Sequence, residues 1–157
     1  MEQVNLSMSF GPPRLRVTSV PRESKSRLAG QRVVDVKGRW WLWVYLAYWR
    51  VLEKGRTLAS TSSAMRKKQR AIGFLNGQKL RDMRVDVCTG STSFVFDLGG
   101  VLEVRRFERD SRKELWLLYE PSGYVLHVRG DGTYDHGPAS GLDGRRGIER
   151  RALTSLL

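Results

Sequence analysis

Trp40-Trp41-Leu42-Trp43-Val44-Tyr45-Leu46-Ala47-Tyr48-Trp49-Arg50-Val51-Leu52 is the stretch on which the fold class turns. Aromatic and β-branched residues crowd it, and they fit the pleated surface of a sheet better than a helix. Both of its faces are apolar. A strand of that kind lies at the centre of a covered sheet, or keeps one face for a partner.

Working outward, residues 33–36 read as a short strand ended by the Lys37-Gly38 turn. Downstream, Glu53-Lys54-Gly55 turns the chain into residues 57–59. Residues 80–87 alternate, Thr89-Gly90 turns, 92–98 alternate, Gly99-Gly100 turns, and 101–107 follow. After a charged loop at 108–113, residues 115–119 and 124–128 make a hairpin across Glu120-Pro121-Ser122-Gly123. Gly130-Asp131-Gly132 closes that sheet, and Thr133-Tyr134 adds a short last strand.

One helix interrupts the strands, at about residues 62–75. Ser60-Thr61-Ser62-Ser63 supplies N-cap hydroxyls, Asn76-Gly77 a C-cap, and Met65, Lys68, Ile72 and Leu75 mark one side at helical spacing. The helix joins two stretches that resemble each other. Gly30-Gln31-Arg32-Val33-Val34-Asp35-Val36 matches Gly77-Gln78-Lys79-Leu80-Arg81-Asp82-Met83, and Gly55-Arg56-Thr57-Leu58 answers Gly99-Gly100-Val101-Leu102. Two copies are too few for a solenoid. The turns are too short for parallel crossovers. The expected fold is therefore mainly β (α+β): antiparallel sheets with a strand-turn-strand pseudo-repeat and one connecting helix. A flexible segment at 1–13 precedes a single β-rich domain at 14–135. A basic, mobile tail follows at 136–157, with a weak helix near its end.

The chain has 157 residues and a net charge of +12, carried by 21 arginines and seven lysines against 16 acids. Arginine suits carboxylate and phosphate partners because its guanidinium is a planar bidentate donor. The single cysteine, Cys88, excludes an intrachain disulfide and fits a reducing compartment. The N-terminus lacks the pattern of a signal peptide, and the longest apolar run is far below the ~18 residues of a membrane span. A soluble, cytoplasmic protein with no membrane partner is expected.

The residues that carry chemistry are sparse. His127 and His136 lack the close ligand pairing of a zinc site, with or without Cys88. Asp97 and Glu103-Val104-Arg105 have the acidic spacing of some nuclease cores, but arginine stands where those cores need a base. The serine clusters at 60–63 and 91–93 have no histidine near them in sequence. Gly130-Asp131-Gly132 opens no helix and is a turn, not a phosphate loop. No catalytic residue, metal or cofactor is expected.

Surface residues remain. Arg39, Trp40, Trp41, Trp43, Tyr45, Trp49 and Arg50 combine the aromatic and arginine anchors of a protein interface. Arg66, Lys67 and Arg70 on the helix are the candidates for nucleic-acid contact, the alternative reading.

The phrases Leu75-Asn76-Gly77-Gln78-Lys79-Leu80, Val85-Asp86, Thr89-Gly90-Ser91-Thr92 and Phe94-Val95-Phe96-Asp97-Leu98-Gly99 add a resemblance. In them the chain resembles small bacterial β-rich proteins of the immunity-protein type, found in toxin and defence systems. The resemblance implies a non-enzymatic inhibitor of another protein and brings no catalytic residues. Immunity proteins of nuclease toxins tend to be acidic, whereas this chain is basic. Its partner is therefore expected to present an acidic face.

Overall fold

The aromatic run divides into two strands that belong to different sheets, and this division sets the architecture. The computed structural model describes residues 5–107, 112–139 and 150–156. In chain order its first elements are β1 (Leu6–Phe10), β2 (Arg14–Ser19), β3 (Arg32–Lys37), β4 (Trp40–Val44), β5 (Tyr48–Glu53) and β6 (Arg56–Ser60). The helix α1 (Met65–Leu75) follows, then β7 (Leu80–Val85), β8 (Thr92–Phe96), β9 (Gly100–Arg105) and β10 (Glu114–Tyr119). Last come β11 (Tyr124–Arg129), β12 (Thr133–Pro138), β13 (Arg151–Ala152) and a short 3-10 turn at Leu153–Leu156.

The fold is mainly β with antiparallel pairing throughout and one α-helix among the described residues. A six-stranded sheet has the order β1-β4-β10-β11-β12-β13, and a five-stranded sheet the order β6-β5-β9-β8-β7. Among the described residues the strands β2 and β3 pair only with each other. Leu46, at φ 38°, breaks the aromatic run between β4 and β5. A bulky residue in that conformation is strained, and the chain uses it to cross from one sheet to the other.

The two sheets share one core. Trp49 and Val51 from β5, Phe94 and Phe96 from β8, and Leu102 and Val104 from β9 meet Leu42, Val44, Trp116 and Val128 of the six-stranded sheet. Trp116 donates its indole N–H to Thr92 Oγ1 at 2.8 Å and meets the Phe94 ring edge-on at 5.6 Å. A buried indole needs such a partner, and this bond ties β10 to β8. The helix α1 buries Lys68, Ala71 and Leu75 and packs on β6 and β5.

Several expectations are corrected. Residues 6–10, expected within a flexible segment, form β1, with Leu6 opposite Val44 and Phe10 opposite Trp40. Alternating apolar residues at 6, 8 and 10 supply the face that packs inward. The serines at 60–63 do not cap α1, whose N-cap is Ala64. Ser63 Oγ instead accepts the Ser60 N–H at 3.0 Å, closing the turn before the helix. Met65 is half exposed and lies off the buried side of α1.

At the other end, β12 continues to Pro138 and the short β13 returns to pair with Thr133 and Tyr134, so structure persists past residue 136. Residues 108–111, within the expected charged loop, and 140–149, within the expected tail, lie outside the described residues. In the pseudo-repeat, Gly30 and Gly77 both adopt positive φ and each precedes a strand. The strands that follow are placed differently, β3 beside β2 and β7 at an edge of the five-stranded sheet. No helix among the described residues is long and apolar enough to cross a membrane.

Candidate functional site

Leu6–Phe10 and Trp40–Val44 are the paired ends of one long hairpin that does not stay in its sheet. Gly11-Pro12-Pro13 interrupts one side of it, because proline cannot donate to a ladder. Gly38 interrupts the other, lying so close to the backbone of Phe10 that a side chain there would overlap it. Beyond this kink, β2 and β3 continue as a two-stranded arm.

Register sorts the arm into two faces. Leu15 lies opposite Val36 and Val17 opposite Val34, so these four share one face. Arg14 lies opposite Lys37 and Arg16 opposite Asp35, and these share the other. Residues 14–39 hold eight basic and two acidic residues, a net of +6 and half of the charge of the whole chain.

The arm and the six-stranded sheet enclose a cavity of about 320 Å3. Arg14, Arg16, Lys37 and Arg39 line it together with Trp41, Tyr119 and Tyr124, and with Ser7 and Ser9 of β1. None of the four cations takes part in an ion pair among the described residues. The one acid in the lining, Glu120, accepts a 2.8 Å hydrogen bond from His136 Nε2 when that nitrogen carries the proton. A concave wall with one excess sign of charge focuses its field on the cleft.

The aromatic floor is a continuous row of rings, stacked from Tyr119 through Trp41 to Trp43 and tilted at Tyr45. The Trp41 ring lies 6.1 Å from Trp43 with nearly parallel planes and 5.0 Å from Tyr119, and Trp43 meets Tyr45 at 5.2 Å. The pairing of β4 with β10 produces this arrangement by placing Trp41 opposite Tyr119. Trp41 keeps 37% of its surface exposed and Tyr124 43%.

A second cavity, of about 440 Å3, lies on the outer face of the five-stranded sheet. It also contains arginines, but their charges are already used. Arg50 bonds Glu103 at 2.6 Å, Arg84 bonds Asp82 at 2.8 Å, and Arg105 stacks 4.4 Å over the Tyr48 ring. The first cavity has the uncompensated charge.

The seven residues expected to form one interface are therefore dispersed. Arg39 and Trp41 line the cleft, and Trp43 and Tyr45 extend its aromatic floor. Trp40 alternates to the opposite face of β4. Trp49 is 1% exposed, in the core, and Arg50 belongs to the other sheet, so neither shares this surface. Arg66, Lys67 and Arg70 are exposed on α1 and do not line the cleft. Arg14, Arg16 and Lys37 were not foreseen, whereas Tyr119 and Tyr124 belong to the aromatic cluster read near the final hairpin. The strict alternation in Arg14-Leu15-Arg16-Val17 and Val34-Asp35-Val36-Lys37 was the signal that could have found the three basic ones.

Several residues weighed for chemistry are engaged within the fold, although the buried His127 Nδ1 has no hydrogen-bond partner among the described residues. His127 is buried on β11 with Nδ1 3.6 Å from Glu114 and Nε2 4.0 Å from Asp135, while Arg129 bonds Asp135. Asp97 accepts the Lys79 N–H at 2.8 Å. Thr89 and Ser91 bond each other, and Cys88 is exposed in the adjoining turn. There the N–H groups of Cys88 and Thr89 donate to the Asp86 carboxylate, and these bonds, that of Cys88 foremost, hold its pKa below the usual value. Among the described residues no group of three or more His, Cys, Asp or Glu side chains is arranged to hold a metal ion.

Comparison with protein-family models, with curated proteins and with solved structures returned no match to this chain. The resemblance to immunity-type proteins stands on the sequence phrases alone.

Proposed function

We propose that this protein is a non-enzymatic binding protein that seats an acidic segment of another protein under its arm, as an inhibitor or immunity partner does. The observation that carries this reading is the cleft itself. Four cations without ion-pair partners among the described residues converge on a rim of exposed aromatic residues, the combination that dominates protein interfaces. Carboxylates would satisfy Arg14, Arg16 and Arg39 with charge-assisted hydrogen bonds, and Trp41 and Tyr124 would anchor the surrounding apolar contact.

A second reading, single-stranded nucleic acid, is favoured by the length of the aromatic row. Two features weigh against it. Trp41, Trp43 and Tyr119 already stack on one another, so fewer ring faces are left for bases. The arm also exposes Leu15, Val17, Val34 and Val36, which a polyanion cannot cover usefully.

Parallel titrations with an oligoglutamate peptide and with oligothymidylate, followed by tryptophan fluorescence, separate the two. The peptide is expected to bind, with Trp41→Ala costing about 2 kcal/mol or more. Arg39→Glu together with Arg14→Glu should abolish the binding. Preferential binding of oligothymidylate, with a log–log salt slope near −0.7 per phosphate contacted, would replace the protein reading by the nucleic-acid one.

A further inference from the structure

Among the described residues β1 pairs with β4 on one side and with no strand on the other. A free edge offers a row of unpaired N–H and C=O groups, and proteins protect such edges with charge, proline, bulges or short length. The other three edges of the two sheets follow that rule. β7 carries Arg81, Asp82 and Arg84 and has a bulge between Leu80 and Asp82. β6 has a register shift against β5, and β13 is two residues long. By contrast β1, Leu-Ser-Met-Ser-Phe, has no charge and no proline, and its register with β4 is unbroken over all five residues.

Two cavities meet along this edge, and Ser7 and Ser9 line both. One is the cationic cleft. The other, of about 490 Å3, lies between β1 and the second half of α1, where Met8, Phe10, Ile72 and Gly73 give it an apolar wall. Successive side chains of a strand point to opposite faces. A strand laid along β1 would therefore send every second side chain toward Arg14, Arg16 and Arg39, and the others toward Ile72 and Phe10.

We infer that β1 is a strand-addition site for an extended segment of a partner protein in which acidic residues alternate with apolar ones. The inference rests on the reading of the cleft as a seat for an acidic protein segment, and it adds the backbone geometry and the sequence pattern of that segment. Main-chain hydrogen bonds to β1 supply affinity, and the two cavities supply specificity through alternate side chains.

Two synthetic peptides of about ten residues and identical composition test it, one alternating Glu with Val and the other carrying the same residues as two blocks. Each is titrated against the full chain, with amide hydrogen exchange measured alongside tryptophan fluorescence. The alternating peptide is expected to bind at least about tenfold more tightly than the block peptide. It should slow exchange at those amides of residues 6–10 that point away from β4. Methylating alternate backbone nitrogens of the peptide, with side chains unchanged, should weaken binding by about tenfold in one of the two possible registers. Equal binding of the two peptides, or binding without protection of β1, overturns the strand addition and leaves the acidic-segment reading standing. Failure of both peptides also overturns it, and the oligoglutamate titration then decides that reading on its own.

Discussion

Arg129 is 3% exposed on β11, and burying a guanidinium costs several kcal/mol unless carboxylates surround it. Asp135, on β12, hydrogen-bonds it, and Glu114, on β10, stands 3.8 Å away. The ion pair thus spans neighbouring strands of the six-stranded sheet, on the face opposite the main core. Replacing Arg129 by Leu would leave Asp135 buried without its cation, and the expected loss of stability is about 3–5 kcal/mol in chemical denaturation. Replacing Arg129 and Asp135 together by apolar residues should recover a large part of that loss, since no unpaired charge is created. A single variant within about 1 kcal/mol of the parent would show that the pair is not what makes this burial tolerable. In the sequence, His127 reads as an ordinary strand residue and Arg129 falls just past the strand read at 124–128. Alternation in Val125-Leu126-His127-Val128-Arg129 does place them on one face, but nothing local names Glu114 or Asp135 as their neighbours.

Strands were legible where alternation and turn chemistry coincide. The hairpin of β10 and β11 across Glu120-Pro121-Ser122-Gly123, the Gly99-Gly100 turn and the α1 C-terminus at Asn76-Gly77 all follow the pattern read from the residues. The aromatic run was legible as strand but not as two strands. Its break falls at Leu46 and Ala47, which carry no turn signal, and only the packing of Trp49 against one sheet and Trp43 on the other requires it. The arm was half legible: β3 was read, whereas residues 14–19 were placed inside the β-rich domain without being read as a strand. That element also behaves differently from the rest. β2 and β3 touch each other extensively and contact no other element to a comparable degree, and an isolated two-stranded ribbon is marginal in water. Amides of β2 and β3 are expected to exchange orders of magnitude faster than those of β5, β9 and β10, with protection rising when the cleft is occupied. Slow exchange throughout the arm in the free protein would mean that something already covers Leu15, Val17, Val34 and Val36.

At the scale of the whole molecule, the two sheets and the helix depend on one shared core, because buried residues of all three belong to a single cluster. Trp116 and Phe94 lock the sheets together across it, with the indole N–H held by Thr92. Among the described residues most of the buried apolar side chains of both sheets form one cluster, so unfolding should be all-or-none apart from the arm. Leu102, fully buried on β9 of the five-stranded sheet, is the probe of this coupling. Leu102→Ala is expected to cost about 2–5 kcal/mol through lost burial and the cavity left behind. In a chain of this size each kcal/mol lowers the melting temperature by about 2–4 °C. The decisive reading is taken in the other sheet. Amide exchange in β10 and β11 should be accelerated by the same free energy that far-UV circular dichroism reports for the whole chain, although no residue there was changed. If β10 and β11 kept their parental protection while β8 and β9 lost theirs, the sheets would be separate cooperative units. The cleft, whose floor belongs to the six-stranded sheet, would then survive damage to the other. The shared core predicts the reverse: a lesion under β9 lowers the occupancy of the folded cleft in direct proportion to the fraction of the chain it unfolds.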